Sequence, residues 1–267
     1  MSRRFDLLRL GYTFSVLIPC LLAIYLHDLV LWRYIDIIMG FFLYAITGNT
    51  LNDMIDVRNP EETDTIERIN GFTWREILTI SILSFIFGTM LFIRAIIENW
   101  INGIILGIII VCVIVYCLEK HIPIINQILL GISHVFLPYL IIKIDSGLTP
   151  VVSSQEWFLM ITFFAFAFTG QVVHEAIDGD AITRFSLKIQ QIIVILSSLI
   201  TIGVGIITVI VLDDIYFIPF CLIPIGSIYV FRKPERPKSG VKDVGIILGN
   251  IILLYFLVLI IRNLLVA

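Results

Sequence analysis

Nine long apolar runs, each bounded by charge, proline or glycine, divide this sequence, and very few folds can accommodate them. They span roughly 8–27, 34–52, 77–97, 100–118, 124–142, 156–176, 190–211, 215–231 and 243–261. A helix needs about 20 apolar residues to cross a bilayer. In lipid every backbone amide must be satisfied within the chain, which leaves helices or closed barrels. Uninterrupted Ile, Leu and Val exclude the alternation of a barrel. The expectation is an all-α, polytopic membrane helical bundle of about nine transmembrane helices, forming one membrane-embedded domain over 1–267. The connections leave no room for a soluble domain.

Composition argues the same way. Hydrophobic residues make up 59% of the chain and charged residues 15%, against averages of about 45–50% and about 25% in soluble domains. This excludes an ordinary soluble enzyme and a disordered chain. The net charge of −3, with no large basic block, excludes a nucleic-acid partner. The first run reads as a span and not as a cleavable signal peptide, because no small-x-small site follows it and further spans do. Cys20, Cys112, Cys117 and Cys221 lie in apolar runs and read as small buried hydrophobes.

Lys and Arg gather on the cytoplasmic side of membrane proteins. With a cytoplasmic N-terminus and nine crossings, only Arg33, Arg94, Lys143 and Arg262 of the 18 basic residues fall outside. The expectation is an integral protein of the cell (plasma) membrane. Two connections on its inner side are long and polar: 52–76, after the second run, and 174–189, after the sixth.

Those two stretches hold the residues that can carry chemistry. The first begins with Asn52, Asp53 and Asp56, with Asn49 just before it. If the second helix continues through it, Asn52 and Asp56 share a face at i, i+4. Amide and carboxylate oxygens at a helix end suit a hard divalent cation such as Mg²⁺. Glu61, Glu62, Asp64 and Glu67 follow Pro60 and serve equally well to solvate a loop. The second cluster is Gln171-Val172-Val173-His174-Glu175-Ala176-Ile177-Asp178-Gly179-Asp180, where His174, Glu175 and Asp178 fit one side of a last helical turn. His-Glu-x-x-Asp also approaches the His-Glu-x-x-His zinc helix of metalloproteases. A catalytic zinc, however, takes three protein ligands, and neither His27, His121 nor His134 stands in a ligand motif. Between the two stretches lie Tyr116, Lys120, Asn126 and Gly131. Lys120 closes the fourth run, where it can snorkel to headgroups or bind an anion beside the two carboxylate clusters.

Taken together, these clusters resemble the UbiA-type intramembrane prenyltransferases. Asn52-Asp53-Met54-Ile55-Asp56 matches the first five positions of the family's Asn-Asp-x-x-Asp-x-x-x-Asp motif. Glu175-Ala176-Ile177-Asp178-Gly179-Asp180 looks like a variant of the second acidic motif with Glu in the leading place. Tyr116-x-x-x-Lys120 followed by Asn126 and Gly131 is similar to the pattern between the motifs. The chain departs from the family at Pro60, where the first motif has its third acid, and at Glu175.

The resemblance covers essentially the whole chain. It implies an Mg²⁺-dependent enzyme that transfers a prenyl group from a polyisoprenyl diphosphate to a lipophilic or aromatic acceptor through an allylic carbocation. It further implies Asn52, Asp53, Asp56, Glu175, Asp178 and Asp180 as metal ligands. Tyr116, Lys120, Asn126, Arg184 and Lys188 become diphosphate-binding residues, with Asp56, Asp178 and Lys120 at the chemistry. The two departures keep a second class open, a non-catalytic isoprenoid-binding relative or a membrane carrier. Gly103-x-x-x-Gly107 and Gly245-x-x-x-Gly249 are expected at close helix approaches.

Overall fold

The computed structural model describes the chain except residues 1, 2, 59, 61, 62, 120, 121, 123, 180, 236–239 and 267. Lys120 and Asp180, two of the expected site residues, therefore lie outside the described residues. All regular structure among the described residues is helical: α1 Phe14–Leu26, α2 Ile35–Asp56, α3 Thr63–Ile69, α4 Trp74–Glu98, α5 Trp100–Glu119, α6 Ile125–Gly131, α7 Leu137–Asp145, α8 Ser154–Asp178, α9 Leu187–Leu212, α10 Pro219–Val230 and α11 Gly240–Val266.

Eight segments among the described residues are long and apolar enough to cross a membrane, and a ninth apolar segment, Ile215–Val230, is shorter. The chain is an integral membrane protein. The eighth run is short as an α-helix because α10 starts only at Pro219, after the 3-10 turn Ile215–Phe217, and runs through Pro224 to Val230. Pro219 fits a helix start, where its missing N–H is not needed.

Burial separates the centre of the bundle from its rim. In the first span 61% of the residues are buried and in the 125–145 segment 56%, against 22–39% in the other six. Residues Val16 to Tyr25 of α1 are buried without a break, as befits a helix surrounded by others. The remaining spans turn one face to this centre. Their outer faces carry exposed Ile, Leu, Phe and Val, the side-chain types that lipid accepts.

The 125–145 segment widens into a π-helical turn at Ile132–Phe136, between α6 and α7. Pro138 stands just beyond it. A proline has no N–H to give and crowds the carbonyl four residues back, and the wider turn relieves that crowding.

Small residues let large ones in where helices cross. A Cβ on Gly40 of α2 would lie 2.7 Å from Phe92 of α4, and one on Gly88 of α4 would lie 2.6 Å from Tyr44 of α2. The two helices exchange a bulky ring for a glycine in both directions. The expected glycine pairs are used only in part: Gly249 lies against Phe14 and Gly103 meets Ile96, but a Cβ on Gly107 or Gly245 would meet no neighbour within 4 Å among the described residues. Between α8 and α9, Thr162 pairs with Thr208 at 2.7 Å and Thr169 with Thr201 at 3.0 Å.

The two polar connections are more helical than the sequence suggests. α2 continues to Asp56, carrying its acidic motif inside the helix, and the stretch expected as a loop after it contains α3. Likewise α8 runs to Asp178, stops at Gly179 (φ 90°) and is followed by a 3-10 turn, Ala181–Arg184. A residue with positive φ after a helix is the usual glycine stop.

Candidate functional site

The ends of α2 and α8 lie at the same end of the bundle, bridged by the N-terminal segment. Arg9 reaches Asp53 of α2 at 3.6 Å and lies over the Tyr12 ring at 5.7 Å. The Tyr12 ring meets His174 of α8 edge-on at 5.9 Å. One short segment thus touches both acidic stretches.

On α2, the helical register places Asn52 under Asp56 as the spacing requires, and Asn52 Nδ2 donates to Asp56 Oδ2 at 2.6 Å. Both residues are buried. Asp53 sits one position on, turned by about 100°, and has other company. Arg68 of α3 grips it with two bonds, Nε to Oδ2 at 3.0 Å and Nη2 to Oδ1 at 3.1 Å, and Arg68 also donates to Thr65 Oγ1 at 3.0 Å. This fork on a fully buried carboxylate, joined by Arg9, holds α3 against the end of α2.

On α8, Glu175 is fully buried. Its carboxylate accepts from Asn126 Nδ2 at 2.9 Å, from Gln127 Nε2 at 2.8 Å and from Gln171 Nε2 at 3.3 Å. α6 supplies Asn126 and Gln127, and its close approach to α8 depends on Gly131, where a Cβ would lie 2.4 Å from Phe164. Asp178, one turn on, accepts from Lys242 Nζ of α11 at 2.6 Å, and His174 Nδ1 lies 3.3 Å from the same oxygen.

Three of the four amides that serve these carboxylates through the nitrogen have the oxygen left over. Asn52 Oδ1, Asn126 Oδ1 and Gln127 Oε1 are buried and have no hydrogen-bond donor among the described residues. Leaving such acceptors unsatisfied costs about 1–3 kcal/mol each. A hard cation or its bound water satisfies oxygens of this kind. Among the described residues no three His, Cys, Asp or Glu side chains converge as a finished metal cluster. His174 and Glu175 turn to different neighbours, so no zinc-helix arrangement forms there. The donor set is nonetheless hard oxygen throughout, from carboxylates and orphaned amides, and it fits Mg²⁺ better than a soft ion.

The other expected residues are dispersed. Tyr116 of α5 is half-buried, and Arg184 and Lys188 are exposed beyond the end of α8. Neither of these two makes an ion pair among the described residues. Sequence reasoning missed Gln127, Arg9, Arg68 and Lys242. Gln127 left a legible trace, since it stands beside Asn126 in an apolar run.

No protein-family model and no curated protein sequence matches the chain. Solved structures match over 97% of its length. A UbiA homolog from Archaeoglobus fulgidus bound to GPP and Mg²⁺ superposes with a TM-score of 0.72 at 13% identity, covering 99% of that chain. The structure of a UbiA homolog from the same organism bound to Cd²⁺ gives 0.71 at 14% identity, again over 99% of that chain. A structure described as digeranylgeranylglyceryl phosphate synthase gives 0.63 at 17% identity over 98% of that chain. The fold is that of these proteins.

Proposed function

We propose that the chain transfers a prenyl group from a polyisoprenyl diphosphate to a lipophilic or aromatic acceptor, with Mg²⁺ as cofactor, at the end of the bundle where α2 and α8 finish. One observation carries this reading. Buried carboxylates from two helices are paired with amides whose oxygens lack donors among the described residues, at one end of an intramembrane bundle. It is supported by the fold shared with a homolog bound to GPP and Mg²⁺ and with a prenylglyceryl phosphate synthase. The distribution of basic residues supports a cytoplasmic position for this end.

Asn52, Asp56 and Asp178 would hold the metal, with Asp180 next in the chain. Magnesium, when bound, offsets the mutual repulsion of the carboxylates and neutralises the departing diphosphate. Glu175 acts at one remove: it fixes the amide nitrogens of Asn126 and Gln127 and so sets where their free oxygens stand. Asp53, held by Arg68 and Arg9, fastens α3 and leaves the coordination to its neighbours. Lys120, Arg184 and Lys188 supply positive charge around the diphosphate. The carbon–oxygen bond to the diphosphate breaks heterolytically, and the allylic cation left behind survives because packed helices in lipid keep water from it. The acceptor then forms the new bond and loses a proton.

A second reading, an isoprenoid-binding protein without turnover, draws on Pro60 in the place of the third acid and on the arginine hold on Asp53. A carrier fits less well, since transport sites lie near the bilayer midplane and these charges crowd one end. The test is to incubate the purified protein in nanodiscs with a labelled isoprenoid diphosphate, Mg²⁺ and a host lipid extract. Pyrophosphate release with a labelled product supports transfer. Tight retention of the diphosphate with no release would establish the second reading instead.

A further inference from the structure

Lys242 stands where a helix does not favour a cation. It lies in the first turn of α11, which begins at Gly240, and the N-terminal turn already carries the positive end of the helix dipole. What it gains there is Asp178. Its ammonium lies 2.6 Å from Asp178 Oδ2, with the two side chains 19% and 21% exposed. The pair joins α11 to the end of α8, 64 residues apart. It is half sheltered and open enough for the lysine stem to rotate.

A magnesium ligand lies about 2 Å from its metal. An oxygen already engaged by an ammonium at 2.6 Å cannot also accept a divalent cation from that side, because the two positive charges would be in contact. We propose that Lys242 competes with the divalent cation for Asp178 and, once displaced, binds a phosphate oxygen of the isoprenoid diphosphate. This rests on the functional reading above. It makes Lys242 a diphosphate-binding residue whose release is coupled to metal loading. Free cation alone binds weakly because it must evict the lysine; cation arriving with the diphosphate offers the ammonium a new anion.

The experiment uses Lys242→Met and Lys242→Arg in nanodiscs, beside the wild type. Mn²⁺ binding is read by electron paramagnetic resonance without diphosphate, and KM for geranylgeranyl diphosphate is read from pyrophosphate release. The expected result for Lys242→Met is Mn²⁺ affinity raised about fivefold, from loss of a partly exposed competing charge, and KM raised about tenfold. Lys242→Arg keeps a KM near that of the wild type. A salt bridge that merely fastens α11 predicts a lowered melting temperature with both constants unchanged. Unchanged or weakened Mn²⁺ binding in Lys242→Met, beside a wild type that binds metal and turns over, overturns this proposal alone. A wild type that binds no Mn²⁺ and releases no pyrophosphate overturns the functional reading and this proposal together.

Discussion

The two ends of the bundle are both rich in charge, yet they use it differently. α8 passes through both: Glu156 near its start and Glu175 near its finish stand about 28 Å apart along the helix. At the far end, Glu156 is saturated. Lys143 Nζ lies 2.9 Å from its Oε1, Tyr139 Oη donates to that oxygen at 2.5 Å, and the Ser153 N–H donates to the other oxygen at 2.7 Å. His27 Nε2 lies 2.8 Å from Oε1 as well. Nearby, Arg94 bridges Asp36, Glu98 and Asp145. Each of these four carboxylates has a cation beside it. At the α2–α8 end, Glu175 has amides for company, and three buried amide oxygens have no donor among the described residues. The far end has one buried amide oxygen of this kind among the described residues, Asn102 Oδ1, and its amide nitrogen serves the Ala95 carbonyl, not a carboxylate. Balanced charge ties helices together, whereas unmet acceptors grouped around buried carboxylates await a ligand.

The comparison breaks most readily at Asp56 and Asp178. Replacing either by Ala is expected to lower pyrophosphate release about 100-fold or more, with a helical, monodisperse protein still recovered. Full metal-dependent turnover in both variants would mean that this end is no more functional than the other. The next largest effect belongs to the far end. Lys143→Met strands the Glu156 carboxylate beneath the surface and should cost about 3–5 kcal/mol of stability, measured by thermal unfolding in detergent. Mn²⁺ affinity should not move. Lys143→Met combined with Glu156→Gln should recover much of that loss. A Lys143→Met variant as stable as the wild type would show that the far-end ion pair holds nothing.

Asp53 sharpens the contrast, because it lies within the acidic motif and behaves like the far end. Arg68→Met should destabilise the protein by about 2–4 kcal/mol and leave Mn²⁺ affinity within about twofold of the wild type. A drop in metal affinity as large as that of Asp56→Ala would return Asp53 to the metal site. The smallest effect is expected between the ends. Thr169→Val removes one interhelical hydroxyl pair, worth about 0.6 kcal/mol in membrane helices, and should change neither metal binding nor turnover.

Much of this was legible in the sequence, and what was not has physical reasons. Hydrophobic length located the spans, since lipid imposes one length on every crossing. The i, i+4 spacing paired Asn52 with Asp56, because a helical contact is local. Periodicity alone could not say that α2 and α8 would stay helical through their polar ends, where apolar patterning stops. Contacts between distant segments were hidden entirely. Nothing local marks Arg68 as the partner of Asp53, 15 residues away across a turn, or Gln127 as a partner of Glu175. Likewise nothing local marks Lys242, in the first turn of α11, as the partner of Asp178, 64 residues away.

The most direct measurement is a structure determined in nanodiscs with Mg²⁺ and a non-cleavable prenyl thiodiphosphate. The account predicts metal density within coordination distance of Asp56 and Asp178, with the thiodiphosphate beside it and the prenyl tail running between helices toward the far end. Ligand density against Arg94 or Lys143, or a metal bound with neither Asp56 nor Asp178 among its ligands, would contradict it.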